Sequence, residues 1–156
     1  MINRSDFKTA HLAPHTVEIA SMFSVMSRLK PSNKCDLLTK MKIYNGDAII
    51  EKGKVKKVDI RDLREESRHE GMDGISTRFI LKALDSALSD SDKGMITPIS
   101  VMESLTRQVK EQIINQEKRE ACLEIIQKLI REEYLSILET EIAKAFITAY
   151  EEQAQS

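Results

Sequence analysis

Apolar residues recur at helical spacing along most of this chain. Ile19, Met22, Phe23, Met26 and Leu29 fall three or four apart and predict a first helix. Ala13-Pro14 precedes them, and Pro favours the first helical position, so the helix is expected to start there. Lys30-Pro31-Ser32-Asn33 ends it. Leu37, Leu38, Met41 and Tyr44 predict a short second helix, with Asn45-Gly46 as its left-handed stop. The period is then lost: Ala48-Ile49-Ile50 and Val55 to Val58 flank Lys52-Gly53-Lys54, which fits either a small hairpin over 48–58 or a charged loop.

Asp59, with Asp62 three positions on, starts a third helix with a modest apolar face at Ile60 and Leu63, expected to end near Gly71. The loop Gly71-Met72-Asp73-Gly74 leads to the best-specified helix start in the chain. Ser76 can cap the free amides, and Ile75 and Ile80 stand where a hydrophobic staple would join across it. Ile80, Ala83, Leu84, Ala87 and Leu88 continue one apolar face. Thr97-Pro98 opens a fifth helix with the stripe Met102, Leu105, Val109 and Ile113. Neither Gly nor Pro occurs after Pro98, and apolar residues from Leu123 to Ala149 keep a helical period that drifts across Glu132-Glu133. One long helix or a bent pair is expected there, without a regular heptad seam. The fold class is all-α. The expected division is a flexible stretch at 1–12, a helical cluster at 13–92 and a helical arm at 93–156.

Composition agrees with this pattern: five Gly, three Pro and no Trp in 156 residues. Lys plus Arg number 24 against 25 Asp plus Glu, so charge gives no reason to expect nucleic acid or a membrane surface as partner. No apolar run reaches the roughly 18 residues that cross a bilayer. Cys35 and Cys122 lie far apart without metal-like spacing and read as reduced thiols of a cytoplasmic protein.

Sites for chemistry are incomplete. Gly53-Lys54 is followed by Val55 rather than Ser or Thr, and position 48 is Ala, so no phosphate-binding loop is formed. His69-Glu70 lacks the second histidine of a zinc helix, Asp73 standing in its place, and Pro14 separates His11 from His15. No metal site is expected, and no catalytic residue can be assigned. Arg78 is the exception to a quiet surface. It occupies the first turn of the helix capped by Ser76, where a cation is mildly unfavourable for the helix but an anion would be welcome.

Ala13-Pro14-His15-Thr16, Ala20-Ser21-Met22-Phe23, Ser27-Arg28-Leu29, Lys42-Ile43-Tyr44-Asn45-Gly46 and Arg68 to Ser76 together resemble the bacterial PrkA-type serine protein kinase family. Members of that family carry an AAA+ ATPase module followed by a segment assigned to kinase activity. The resemblance implies that residues 13–92 form an AAA+ lid and that 93–156 connect it to the kinase segment. It also implies that Arg78 is the sensor 2 arginine, reaching the phosphate of ATP held with Mg by a nucleotide-binding core upstream. Thr77 takes the place where the family pattern has Pro. On this reading the fragment is inactive by itself, and its partners are the upstream core, the C-terminal kinase segment and, through the arm, a possible second copy. The alternative is a helical interaction or dimerisation module with no catalytic role.

Overall fold

The structure is a computed structural model that describes residues 10–56 and 58–155. Its regular elements are nearly all helices: α1 (Thr16–Met26), α2 (Leu37–Asn45), α3 (Ile60–Glu66), α4 (Thr77–Ser89), α5 (Pro98–Gln112), α6 (Gln116–Glu124) and α7 (Arg131–Gln155), the last two joined through a π-helical turn at Ile125–Ile130. Two minimal strand pairs accompany them. β1 (His11–Leu12) runs parallel to β4 (Met95–Ile96), while β2 (Ile50–Glu51) and β3 (Lys54–Val55) form an antiparallel hairpin. The hairpin closes because Lys52 and Gly53 both take positive φ, the geometry that two-residue hairpin turns need. Residues 1–9 of the stretch expected to be flexible lie outside the described residues.

The core gathers around α1. Its inward residues Ile19, Ala20, Phe23 and Met26 meet Ile80, Ala83 and Ala87 of α4, Val101, Leu105 and Val109 of α5, and Cys122, Ile126 and Ile130 farther on. Phe23, Ile19, Met26 and Leu105 are fully buried, and burying each such side chain contributes about 1.5–3 kcal/mol. The core therefore draws on both sides of residue 92. Polar atoms fasten α5 to α4 as well: Ser104 Oγ donates to the Ala83 carbonyl at 2.8 Å and Gln108 Nε2 to the Phe79 carbonyl at 2.9 Å.

Most helix ends follow the local signals. Asp36, Asp59, Ser76, Thr97 and Asn115 each accept a hydrogen bond from an amide of the helix they precede, and Gly46 ends α2 at φ 85°. Thr97 and Ser100 form a full capping box ahead of Pro98. Two boundaries differ from expectation. Pro14 lies before α1 rather than in it, because His15 takes a left-handed conformation (φ 66°) and becomes the residue before the first turn. The third helix stops at Glu66 instead of near Gly71, since the backbone bends at Ser67 (φ −134°, ψ 63°) and turns the following residues toward α1 and α2.

From Gln116 the chain is helical without a break to Gln155. The drift of the apolar stripe has a physical origin in the π turn, which widens the repeat locally. Beyond it, α7 buries no residue and exposes Ile142, Phe146, Ile147 and Tyr150. Two ion pairs tie it back: Lys42 to Glu133 at 2.8 Å and His15 Nε2 to Glu141 at 2.5 Å. No helix among the described residues is long and apolar enough to cross a membrane.

Candidate functional site

Arg78 stands in the first turn of α4, exposed, with no hydrogen bond or ion pair to any described residue. The turn around it carries no acidic side chain. Ser76 Oγ accepts from the Phe79 amide at 3.3 Å, and Ile75 and Ile80 are both buried, so the cap and the staple form as the sequence suggests. An unpaired guanidinium at the positive end of a helix is a ready binder of a phosphate oxygen, through its paired donors and fixed charge.

The loop ahead of this turn is braced from a distance in sequence. The Ile75 amide donates to Ser27 Oγ at 3.0 Å, and Arg28 Nη2 donates to the Ile75 carbonyl at 3.0 Å. Arg28 Nη1 reaches the Gly71 carbonyl at 3.4 Å, and the Gly71 amide donates back to the Arg28 carbonyl at 3.1 Å. Gly74 lies so close beneath that a Cβ there would sit 2.3 Å from Arg28 Cγ and 3.2 Å from Arg28 Cα. Ser27-Arg28 and Gly71 to Ser76, two of the segments that carry the family resemblance, are thus a single physical unit.

A second unit is absent from the sequence reading. Lys40, on α2, is fully buried and pairs with Glu70 at 2.6 Å. Its ammonium also donates to the Lys30 carbonyl at 2.9 Å and to Ser67 Oγ at 3.4 Å. Glu70 accepts in addition from the Lys30 amide at 2.6 Å and from the Tyr44 hydroxyl at 2.9 Å. Burial alone would raise the Glu70 pKa, but the hydrogen bonds from Lys40, Lys30 and Tyr44 hold it below its ordinary value. Burial pushes the Tyr44 phenol up to about 12, aided by its bond to the charged Glu70. The signal that could have revealed Lys40 is its place on α2, three and four residues from Leu37, Ile43 and Tyr44, on the inward face. This network closes the end of the bundle beside the Gly71–Ser76 loop, so it fixes the backbone that α4 starts from.

The remaining candidates fall elsewhere. His15 lies between Glu18, 2.7 Å from Nδ1, and Glu141; these hydrogen bonds, that to Glu18 first, raise its pKa. His11 sits on β1, separate from that contact. Cys122 is buried in the core and Cys35 is half-buried; both thiols are free, and burial raises the pKa of each. No group of three or more potential metal-ligating side chains occurs among the described residues.

Comparison with known proteins divides the chain near residue 37 and puts Arg78 on the C-terminal side of that division. Residues 38–156 match the family described as PrkA serine protein kinase C-terminal domain, and residues 1–36 match the PrkA AAA domain. A Bacillus subtilis protein named ATP-dependent protease PrkA is 35% identical over 159 aligned residues, which cover all of this chain and 25% of that protein. An Escherichia coli K12 protein named serine/threonine kinase YeaG is 29% identical over 158, covering all of this chain and 24% of that protein. The chain spans about a quarter of the length of these relatives. No solved structure matches it. With three quarters of its residues inside one PrkA family domain and all but one of the others inside the second, the chain belongs to the PrkA family.

Proposed function

We propose that this chain is the lid and connector of an ATP-dependent serine protein kinase, in which Arg78 acts as the sensor 2 arginine toward nucleotide bound by an upstream AAA+ core. The observation that carries the reading is the free guanidinium of Arg78 on a capped and braced helix start with no acid beside it. A side chain held there has no role within the described fold, while its planar fork suits a phosphate oxygen that gains charge during transfer. ATP and its Mg would be held by the core, and Arg78 would contribute orientation and charge neutralisation. The names of the relatives divide between protease and kinase, and the family description favours the kinase. With ATP as its nucleotide the parent protein would work in the cytoplasm.

The test is steady-state ATP hydrolysis by the full-length protein. Arg78→Ala is expected to lower turnover roughly tenfold or more, as for other arginines that act on the transferred phosphate. Unchanged turnover would remove the assignment. The isolated chain is expected to show no ATP turnover. A second reading, a dimerising arm, draws on the exposed Phe146, Ile147 and Tyr150 of α7. A molar mass by light scattering that stays at one chain across concentration rules it out.

A further inference from the structure

We infer that Arg28 is a positioning residue for Arg78, acting through the Gly71–Ser76 loop with Ser27 as its partner. The inference rests on the sensor reading of Arg78 and goes beyond it, because it assigns the orientation of that side chain to a residue 50 positions earlier, just past the end of α1.

Ile75 is where the two segments join. It immediately precedes the Ser76 cap, and both of its backbone polar groups are taken by consecutive residues at the end of α1: its amide by Ser27 Oγ at 3.0 Å and its carbonyl by Arg28 Nη2 at 3.0 Å. Two bonds from one helix end to the two peptide units that flank Ile75 fix both where α4 begins and the direction in which it leaves. Arg78 follows three residues later, within the first turn, so its Cα inherits that direction.

Arg28 is an unusual choice for such work. Its guanidinium meets no carboxylate among the described residues and instead spans two carbonyls, those of Gly71 and Ile75. A planar fork can hold two acceptors at a set separation, whereas a lysine ammonium is a point donor on a flexible stem. The stem of Arg28 lies on Gly74, where any side chain would collide: a Cβ would meet Arg28 Cγ at 2.3 Å and the Ser27 carbonyl at 3.2 Å. Glycine is therefore required at 74 by the arginine packed against it. Met26, two residues before Arg28, is fully buried in the core, so the bracket is mounted on a helix end anchored there.

A bracket that only stabilised the fold would act independently of Arg78. One that orients Arg78 would lose its effect on turnover once Arg78 is gone. Full-length protein carrying Arg28→Lys, Arg78→Ala and both together separates the two by steady-state ATP hydrolysis, each variant first checked for a cooperative thermal transition. Arg28→Lys keeps the charge and loses the fork, and it is expected to reduce kcat roughly tenfold, the scale of effect that misplacing a catalytic group by a fraction of an ångström produces. In the Arg78→Ala background the same change is expected to add nothing. Losses that multiply, or wild-type turnover in Arg28→Lys, overturn the inference. If Arg78→Ala itself leaves turnover intact, the sensor assignment fails and Arg28 has nothing to position. Should Arg28→Lys not fold, Ser27→Ala, which removes the acceptor for the Ile75 amide together with the hydroxyl's own bond to the Ser24 carbonyl, takes its place in the same cycle with the same criteria.

Discussion

Replacing Lys40 by Met would remove one charge from a spot with no solvent exposure while keeping the length of the side chain. Lys40 is 0% exposed and the Glu70 side chain 8%, so the carboxylate left behind could not be rescued by bulk water. It would keep the Tyr44 hydroxyl and the Lys30 amide, but lose the 2.6 Å contact that balances its charge. The Lys30 carbonyl and Ser67 Oγ would lose their donor as well. Removing one member of a buried pair costs about 3–5 kcal/mol. For a chain of this size that lowers Tm by about 6–20 °C, at roughly 2–4 °C per kcal/mol.

The pH dependence has a definite sign. In the wild type the Glu70 pKa is depressed, so its contribution is present above the ordinary carboxylate value and is lost as pH falls through the lower folded value. In Lys40→Met the burial effect is left to dominate and raises that pKa, so the variant is weakest near neutrality and the gap to wild type narrows in acid. Urea unfolding followed by far-UV circular dichroism at pH 7 and pH 4 measures both. The double variant Lys40→Met/Glu70→Gln, with no charge to bury, is expected to regain most of the loss. A single-variant cost below about 1 kcal/mol, or a double variant no better than the single, would refute the reasoning.

Two other titrations are open to direct measurement. The His15 pKa lies above its ordinary value of about 6.5 because Glu18 and Glu141 bond its ring, so the tie to α7 is complete below that value and is lost as pH rises through the folded one. Proton NMR of the imidazole should show this, Glu141→Gln should bring the pKa down, and amide exchange in α7 should quicken at higher pH; a His15 that titrates at the ordinary value in both proteins contradicts the contact. Tyr44 should ionise near pH 12, well after an ordinary phenol at about 10. Because the unfolded chain releases that proton first, stability should fall between about pH 10 and 12, and Tyr44→Phe should abolish this step in an ultraviolet titration; no such late step in the wild type counts against the burial.

Helices and their starts were legible because their signals are local. Ser76 lies three residues from the amide it caps, Thr97 sits beside Pro98, and the apolar stripes of α1, α4 and α5 repeat within a few turns. Arg78 could be singled out for the same reason: its oddity in a first turn is visible without knowing the fold, and the family resemblance then supplies a role. Lys40 was not legible, because a lysine is ordinarily solvated and its partner is 30 residues away beyond a bend that no pattern announced. Arg28 was hidden differently. Its partners are backbone carbonyls, which every residue possesses, so nothing in the identity of Gly71 or Ile75 marks them. Only the glycine at 74 carried a trace of the contact. The start of α1 was misplaced because Pro14 is compatible with a first helical turn, and only the tertiary pull of β1 on β4 and of Glu141 on His15 decides otherwise.

The π turn between α6 and α7 sets the azimuth of everything beyond it. Glu133 and Glu141 are eight residues apart, just over two turns, and so share the side of α7 that meets Lys42 and His15. In an α-helix each residue advances about 100° around the axis, so deleting one residue within 125–130 would swing that side away by nearly a third of a circle. Both ion pairs would part, and the exposed Ile142 and Phe146 would point in a new direction. Substitutions along 125–130 that keep an apolar inner side can be absorbed, but a change in residue count cannot. In this segment the heading of the arm is encoded in the number of residues rather than in their chemistry.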